Sequence, residues 1–153
     1  MKLLRTACLA IAMAAALVGH VSRAFACTCL TVPLAQHFES AEAVFVGYPT
    51  IIRLGERRGS DPNRPGVYRF AIVKFQVKTW WKGGNNRAVV VRTGMGGGDC
   101  GSDFRVGRRY IVFASRHRGD LWTGICSGNM DYDPTSRDVL IQLEEMSKQW
   151  KRR

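Results

Sequence analysis

The segment Ala24-Phe25-Ala26-Cys27-Thr28-Cys29 sets a small-x-small cleavage pattern directly before a cysteine. Cleavage after Ala26 makes Cys27 the mature amino terminus. A terminal cysteine carries a free α-amine and a carbonyl oxygen on one residue, and a disulfide through its sulfur fixes the direction of both. Two donors a chelate ring apart can grip a metal ion that has an open coordination position. The amine must be neutral to donate its lone pair, and with a pKa of about 7.7–8.0 a sizeable fraction is neutral near physiological pH.

No other group of residues offers comparable chemistry. The mature histidines are His37 and His117, and the chain has no nucleophile elbow, metal motif or paired catalytic acids. Ser115, His117 and Asp120 are neighbours on an expected hairpin, a poor basis for a triad. Gly94 and Gly96-Gly97-Gly98 suggest a phosphate cradle only in composition, because the P-loop lysine and the strand-to-helix setting are missing. The expectation is therefore a protein that is not an enzyme.

Upstream of the cleavage pattern, Lys2 and Arg5 form a positive start and Leu9 to Val18 an apolar run. This is the order of a signal peptide over residues 1–26. The run is shorter than the roughly 20 residues of a spanning helix, and no later stretch is apolar enough to replace it. The expected destination is outside the cytoplasm, periplasmic or secreted. Lipidation of Cys27 is the competing reading; Ala24 and Phe25 fit that signal poorly, and acylation would occupy the amine.

Of the 153 residues, 127 remain after residue 26, enough for one domain over 27–153. The whole chain has 23 Lys and Arg against 12 Asp and Glu, a net +11; losing Lys2, Arg5 and Arg23 leaves 20 against 12, a net +8. Such a balance suits an anionic partner, or simply a basic face on an exported domain. Lys148-Gln149-Trp150-Lys151-Arg152-Arg153 concentrates part of the charge and reads as a solvated end.

Cys8 departs with the leader, leaving four cysteines and hence two disulfides with three connectivities. A Cys27–Cys29 bridge would close a very small ring, so each of the two is expected to pair with one of Cys100 and Cys126. A loop as long as Cys27 to Cys100 is worth roughly 4 kcal/mol in the chain-entropy model. Zinc is the alternative for these cysteines, but no C-x-x-C or Cys/His spacing supports it.

The elements that must position these residues read mainly as strands. Pro33 to Ala41 suits a short helix with Leu34, His37 and Phe38 on one side, where His37 packs or faces water rather than ligating. Ala43 to Leu54 is a strand bent at Gly47 and Pro49. Gly55 to Gly66 has the turn chemistry of an exposed loop. Val67 to Trp81 alternates Val73, Phe75 and Val77 with Lys74, Gln76 and Lys78, the pattern of a half-buried strand. Arg87 to Thr93, Arg109 to Ala114 and Leu121 to Thr123 complete five strands, with a tight turn at Arg118-Gly119-Asp120. The expected fold is mainly β, a five-stranded barrel of the oligonucleotide/oligosaccharide-binding type. Asp133-Pro134 caps a final helix, whose face Val139, Leu143, Met146 and Trp150 packs on the barrel.

With Cys-Thr-Cys at the cleavage site, Trp81-Lys82-Gly83 closing the long strand, Cys100-Gly101, Gly107 to Ala114 with Phe113, and Cys126 before the last helix, the chain resembles the tissue inhibitors of metalloproteinases. The likeness is to the netrin-like inhibitory domain of that family, in an exported homologue of bacterial type, and covers almost all of residues 27–153. It implies the pairs Cys27–Cys100 and Cys29–Cys126. It further implies that the Cys27 amine and carbonyl bind the catalytic zinc of a target protease, that Thr28 enters the specificity pocket, and that Cys27 to Val32 lie along the cleft. Cys29 and Leu30 would then follow in the cleft, and Met95 to Cys100, with Met95 and Asp99, would form the second edge of the wedge. The partner so implied is a zinc metalloprotease; the inhibitor itself is monomeric and carries no cofactor, because the zinc belongs to the target.

The chain departs from the family in having no cysteines for a third disulfide and in placing Leu30-Thr31 where valine and proline are usual. The glycines at 94 and 96–98 make the second edge costly to order, which predicts weaker binding. The alternative function is a non-inhibitory netrin-like module for an anionic polymer or a partner protein. In that reading Trp80, Trp81, Trp122 and Tyr132 stack beside Arg87, Arg108 and Arg109, or else merely pack.

Overall fold

The computed structural model describes residues 27–59, 66–96 and 98–153. The expected signal peptide over 1–26 lies outside the described residues. A short helix α1 (Leu34–Ser40) is followed by the strands β1 (Ala43–Arg58), β2 (Val67–Lys82), β3 (Ala88–Thr93), β4 (Tyr110–His117), β5 (Asp120–Thr123) and β6 (Met130–Asp131), then by helix α2 (Arg137–Lys151). β1 pairs antiparallel with β2 on one edge and with β4 on the other. β3 joins β2 antiparallel and β5 parallel, and β5 joins β4 antiparallel. Strands β1, β2, β3, β5 and β4 thus form an OB-like ring, with β6 added beside β4.

Two apolar clusters lie on opposite sides of this ring. Phe45, Val73, Phe75, Val91, Phe104, Tyr110 and Val112 form the inner cluster. Phe38, Val44, Val46, Trp81, Ile111, Phe113 and Leu143 form the outer one, beneath the two helices. β4 serves both: Tyr110, Val112 and Ala114 join the first cluster, Ile111 and Phe113 the second. Burial on both faces explains why this strand reads as a continuous apolar run, whereas β2 alternates along Val73–Lys78.

The Trp81-Lys82-Gly83 motif links ring and helices. Trp81 is buried in the outer cluster, and its carbonyl accepts from Ser147 Oγ of α2 at 2.7 Å. The Lys82 ammonium donates to the carbonyls of Phe38 (2.8 Å) and Glu39 (2.9 Å), closing the end of α1. Burial lowers the Lys82 pKa, against the opposing attraction of Glu39 and Glu42. Gly83 has φ +79°, and a Cβ there would meet the Glu42 carbonyl oxygen at 1.8 Å, so only glycine fits.

Several boundaries differ from those read in the sequence. β1 does not stop at Leu54: Gly55 to Arg58 continue it, paired with Phe70 to Val67, because the turn-forming composition is concentrated beyond Arg58. The first two residues of that stretch's ladder are reinforced by the Arg69–Glu56 ion pair at 3.0 Å. The expected bends at Gly47 and Pro49 coincide with register shifts at Val46/Gly47 and Pro49/Ile51. β6 is a sixth strand of two residues, too short to announce itself by periodicity. Asp133 caps a 3₁₀ turn over Pro134–Ser136 rather than the helix itself, which starts at Arg137. On α2, Leu143 is fully buried and Val139 and Met146 pack around it, but Trp150 is 41% exposed, one turn beyond the buried contact of Ser147.

Candidate functional site

Cys27 is bridged to Cys100 and Cys29 to Cys126, with Cα–Cα distances of 5.6 and 5.2 Å. The irregular stretch from Cys27 to Pro33 is therefore tied at its first residue to the β3–β4 connection and at its third to the segment after β5. All four cysteines among the described residues are used in this way, as in an oxidising compartment. Together with the finding that no helix among the described residues is long and apolar enough to cross a membrane, this agrees with an exported protein.

The β3–β4 connection is organised by Asp99. Its carboxylate accepts from the backbone N–H groups of Met95 (2.6 Å), Gly96 (2.8 Å) and Gly101 (3.2 Å). Desolvation acts to raise the Asp99 pKa, but the donors from Met95, Gly101 and Gly96 together outweigh it and hold the carboxyl below its ordinary value of 3.8. A folded-state pKa below the unfolded one stabilises the loop fully above about pH 3.8 and loses that effect as pH falls through the lower value. Hydrogen-exchange protection of the Met95, Gly96 and Gly101 amides should accordingly hold from neutrality down to about pH 4 and collapse below it. Protection already lost at pH 5 would show that the carboxylate does not hold the loop.

Close backbone approach fixes the loop on its other side. A Cβ on Gly101 would meet the Gly94 carbonyl at 2.1 Å, and one on Gly124 the Cys100 carbonyl oxygen at 2.7 Å. That same Cys100 oxygen accepts from the Ile125 N–H at 2.9 Å, which joins the two disulfide-bearing segments. Cys100 itself has φ +57°, a left-handed conformation unusual for a residue with a side chain.

Asn129 is the organising residue that sequence reasoning missed. Its Nδ2 group donates to Ser102 Oγ (2.9 Å), Thr123 Oγ1 (2.7 Å) and the Gly124 carbonyl (3.1 Å), and its Oδ1 accepts from the Phe113 N–H (2.9 Å). Ser102 N–H in turn donates to the buried Thr93 hydroxyl. One side chain thus connects β4, the end of β5 and the loop carrying Cys100. In the sequence it stands in Ser127-Gly128-Asn129, where it reads only as a turn residue.

On this scaffold Thr28 and Leu30 face solvent, Leu30 being 87% exposed, and Met95 on the second edge is 50% exposed. Asp99 shares that edge, with its carboxylate turned to its own loop. His37 packs against Phe113, ring centroids 6.0 Å apart, and beneath Gly128. Ser115 Oγ donates to the Ser40 carbonyl, Asp120 pairs with Arg92, and the His117 ring stands 6.4 Å from that of Trp122. Among the described residues no three His, Cys, Asp or Glu side chains gather as a metal site.

The aromatic residues offered for stacking are divided. Trp81 is in the outer core, and Trp80 packs on the inner one while its indole N–H donates to the Asn86 carbonyl. The Tyr132 ring is covered by the Arg109 guanidinium at 4.9 Å, and Arg108 pairs with Asp131. Comparison of the sequence with protein-family models and with curated proteins finds no match.

Proposed function

We propose that this protein is an exported inhibitor of zinc metalloproteases, acting through the free α-amine and carbonyl of mature Cys27. The observation that carries the reading is the Cys27–Cys100 bridge, which ties the residue bearing both donors to a loop with a defined backbone. The pairing of Cys29 with Cys126 is likewise the one that the resemblance to the tissue inhibitors of metalloproteinases implies. In this mechanism the amine nitrogen and carbonyl oxygen occupy the open position of the target's zinc, and the water that would attack a peptide is displaced. Thr28 enters the adjoining pocket, Leu30 follows along the cleft, and Met95 contacts its rim.

The wedge is preorganised in spite of its glycines. Three backbone N–H groups converge on Asp99, and the bond from Ile125 to the Cys100 carbonyl braces the same loop. Less ordering is then left to be done on binding than the glycine content alone suggests.

Because zinc binds only the neutral amine, protons compete with the metal. With an amine pKa of about 7.7–8.0, lowering the pH from about 7.5 to about 5.5 should weaken inhibition by roughly 50- to 100-fold, after correction for the protease's own titration. An inhibition constant unchanged across that range would remove the amine from the mechanism. Retention on heparin or nucleic acid that disappears with salt, with no zinc endopeptidase inhibited, is what a binding module for an anionic polymer would give instead.

A further inference from the structure

On the side of the ring where the β1–β2 hairpin end meets the β4–β5 turn, the structure holds a cleft of about 630 Å³. Its volume is that of a small-molecule pocket. Three aromatic rings supply the wall. Phe70 is buried and lies 5.3 Å from Trp122, centroid to centroid, and Tyr68 stands at the rim, largely exposed. The cations around the cleft fall into two groups. Arg69 is paired with Glu56 at 3.0 Å, and Arg92, which lies over the Phe70 ring at 5.1 Å, is paired with Asp120 at 3.1 Å. Arg57, Arg58 and Arg118 also line the cleft, and no carboxylate among the described residues pairs with them.

Arg118 owes its position to the β4–β5 turn. It has φ +52° and is followed by Gly119 at φ +88°, the two left-handed residues of a tight hairpin turn. Asp99 is the acidic residue of the lining, and its carboxylate is engaged by three backbone N–H groups. The Trp122 indole nitrogen is buried and has no hydrogen-bond acceptor among the described residues.

From this combination we infer that the cleft binds a small aromatic anion, a flat ring system carrying a carboxylate or a phosphate. The ring lies against Trp122 and Tyr68, with the buried Phe70 packed against Trp122, so that a π-face is matched by a π-face. The oxyanion meets Arg57, which shares a strand face with Tyr68 and Phe70, and Arg118 on the facing turn; the guanidinium forks suit either group. The cleft adjoins the proposed wedge through Asp99 and Cys100, but its ligand contacts do not rest on the inhibitor reading, since neither the Cys27 amine nor Thr28 takes part.

The test is calorimetric titration of the disulfide-intact protein with 2-naphthoate and with 1-naphthyl phosphate, followed in parallel by tryptophan fluorescence. At least one of the two is expected to bind at 1:1 with Kd of about 1 mM or tighter, the range for a ligand of this size. The arm that binds more tightly identifies the oxyanion. Neutral 2-naphthol and inorganic phosphate should each bind at least about tenfold more weakly, since each lacks one of the two contacts. The variant R57Q/R118N, with asparagine chosen because it accepts the left-handed turn, should lose about tenfold or more in affinity for the preferred probe. No binding of either anion would overturn the inference. So would equal binding of 2-naphthol or of inorganic phosphate, and so would undiminished affinity in the variant.

Discussion

One alanine added before Cys27 is expected to raise the inhibition constant against a susceptible zinc endopeptidase by at least about a thousandfold, the equivalent of roughly 4 kcal/mol. The addition converts the α-amine into an amide, whose nitrogen lone pair is delocalised into the carbonyl and is not available to a metal. It also sets a residue where the zinc would otherwise be approached. The fold should not register the change. Both apolar clusters lie within the ring or between it and the helices, and the described segment up to Pro33 contributes nothing to either. Circular dichroism and the denaturant midpoint of the extended protein should therefore match those of the unextended one. Undiminished inhibition by the extended protein would mean that the chelate is not used.

The second large effect concerns the bridge that leaves the chelating residue untouched. Replacing Cys29 and Cys126 together by serine removes a bridge between residues 97 apart in sequence while keeping Cys27–Cys100 intact. With Cys27–Cys100 kept, the loop that this bridge closes in the denatured chain shrinks to about 28 residues, for which chain entropy assigns about 3–4 kcal/mol, and we expect a loss of about 3 kcal/mol in unfolding free energy because the denatured chain retains some structure. Inhibition should also weaken, by about tenfold or more, since the third residue of the wedge is no longer fixed beside the Gly124–Cys126 segment and must be ordered on binding. Denaturant unfolding and inhibition titration of C29S/C126S check the two halves separately. A variant as stable as the parent would show that the bridge is dispensable to the fold; one that inhibits equally well would show that Cys29 need not be held.

Much of the ring was legible in the sequence because its strands carry clear physical signatures. Val73, Phe75 and Val77 alternate with charged and amide side chains, and the inner cluster takes just those three. Arg118-Gly119 announces a turn in which both residues adopt positive φ. The longer reach of β1 was hidden because Gly55 and Glu56 are poor strand formers by composition, and their partners across the hairpin hold them in register. β6 was hidden because two residues have no periodicity.

The site was legible in part. Four cysteines beyond the expected leader limit the pairings, and the small Cys27–Cys29 ring eliminates one; the residues alone leave the remaining two open, and it is the family resemblance that implies the pairs the structure has. Asp99 drew notice through its place beside Cys100, yet its work of gathering three N–H groups is set by the loop's backbone and has no sequence signature. Asn129 left no trace beyond turn composition, since its four partners come from Ser102, Phe113, Thr123 and Gly124, distant in part along the chain. The aromatic cleft, built from the ends of two hairpins, was equally invisible to local pattern.

Whether the Cys27 amine reaches a target's metal is read most directly from the visible absorption of a cobalt(II)-substituted zinc endopeptidase titrated with protein that begins at Cys27. Cobalt in place of zinc reports a change of ligand set as a change in its spectrum. A new spectrum complete at one equivalent is expected, and no change when the α-amine has been acetylated. An inhibited enzyme with an unaltered cobalt spectrum, or the same new spectrum from the acetylated protein, would contradict chelation by the amine.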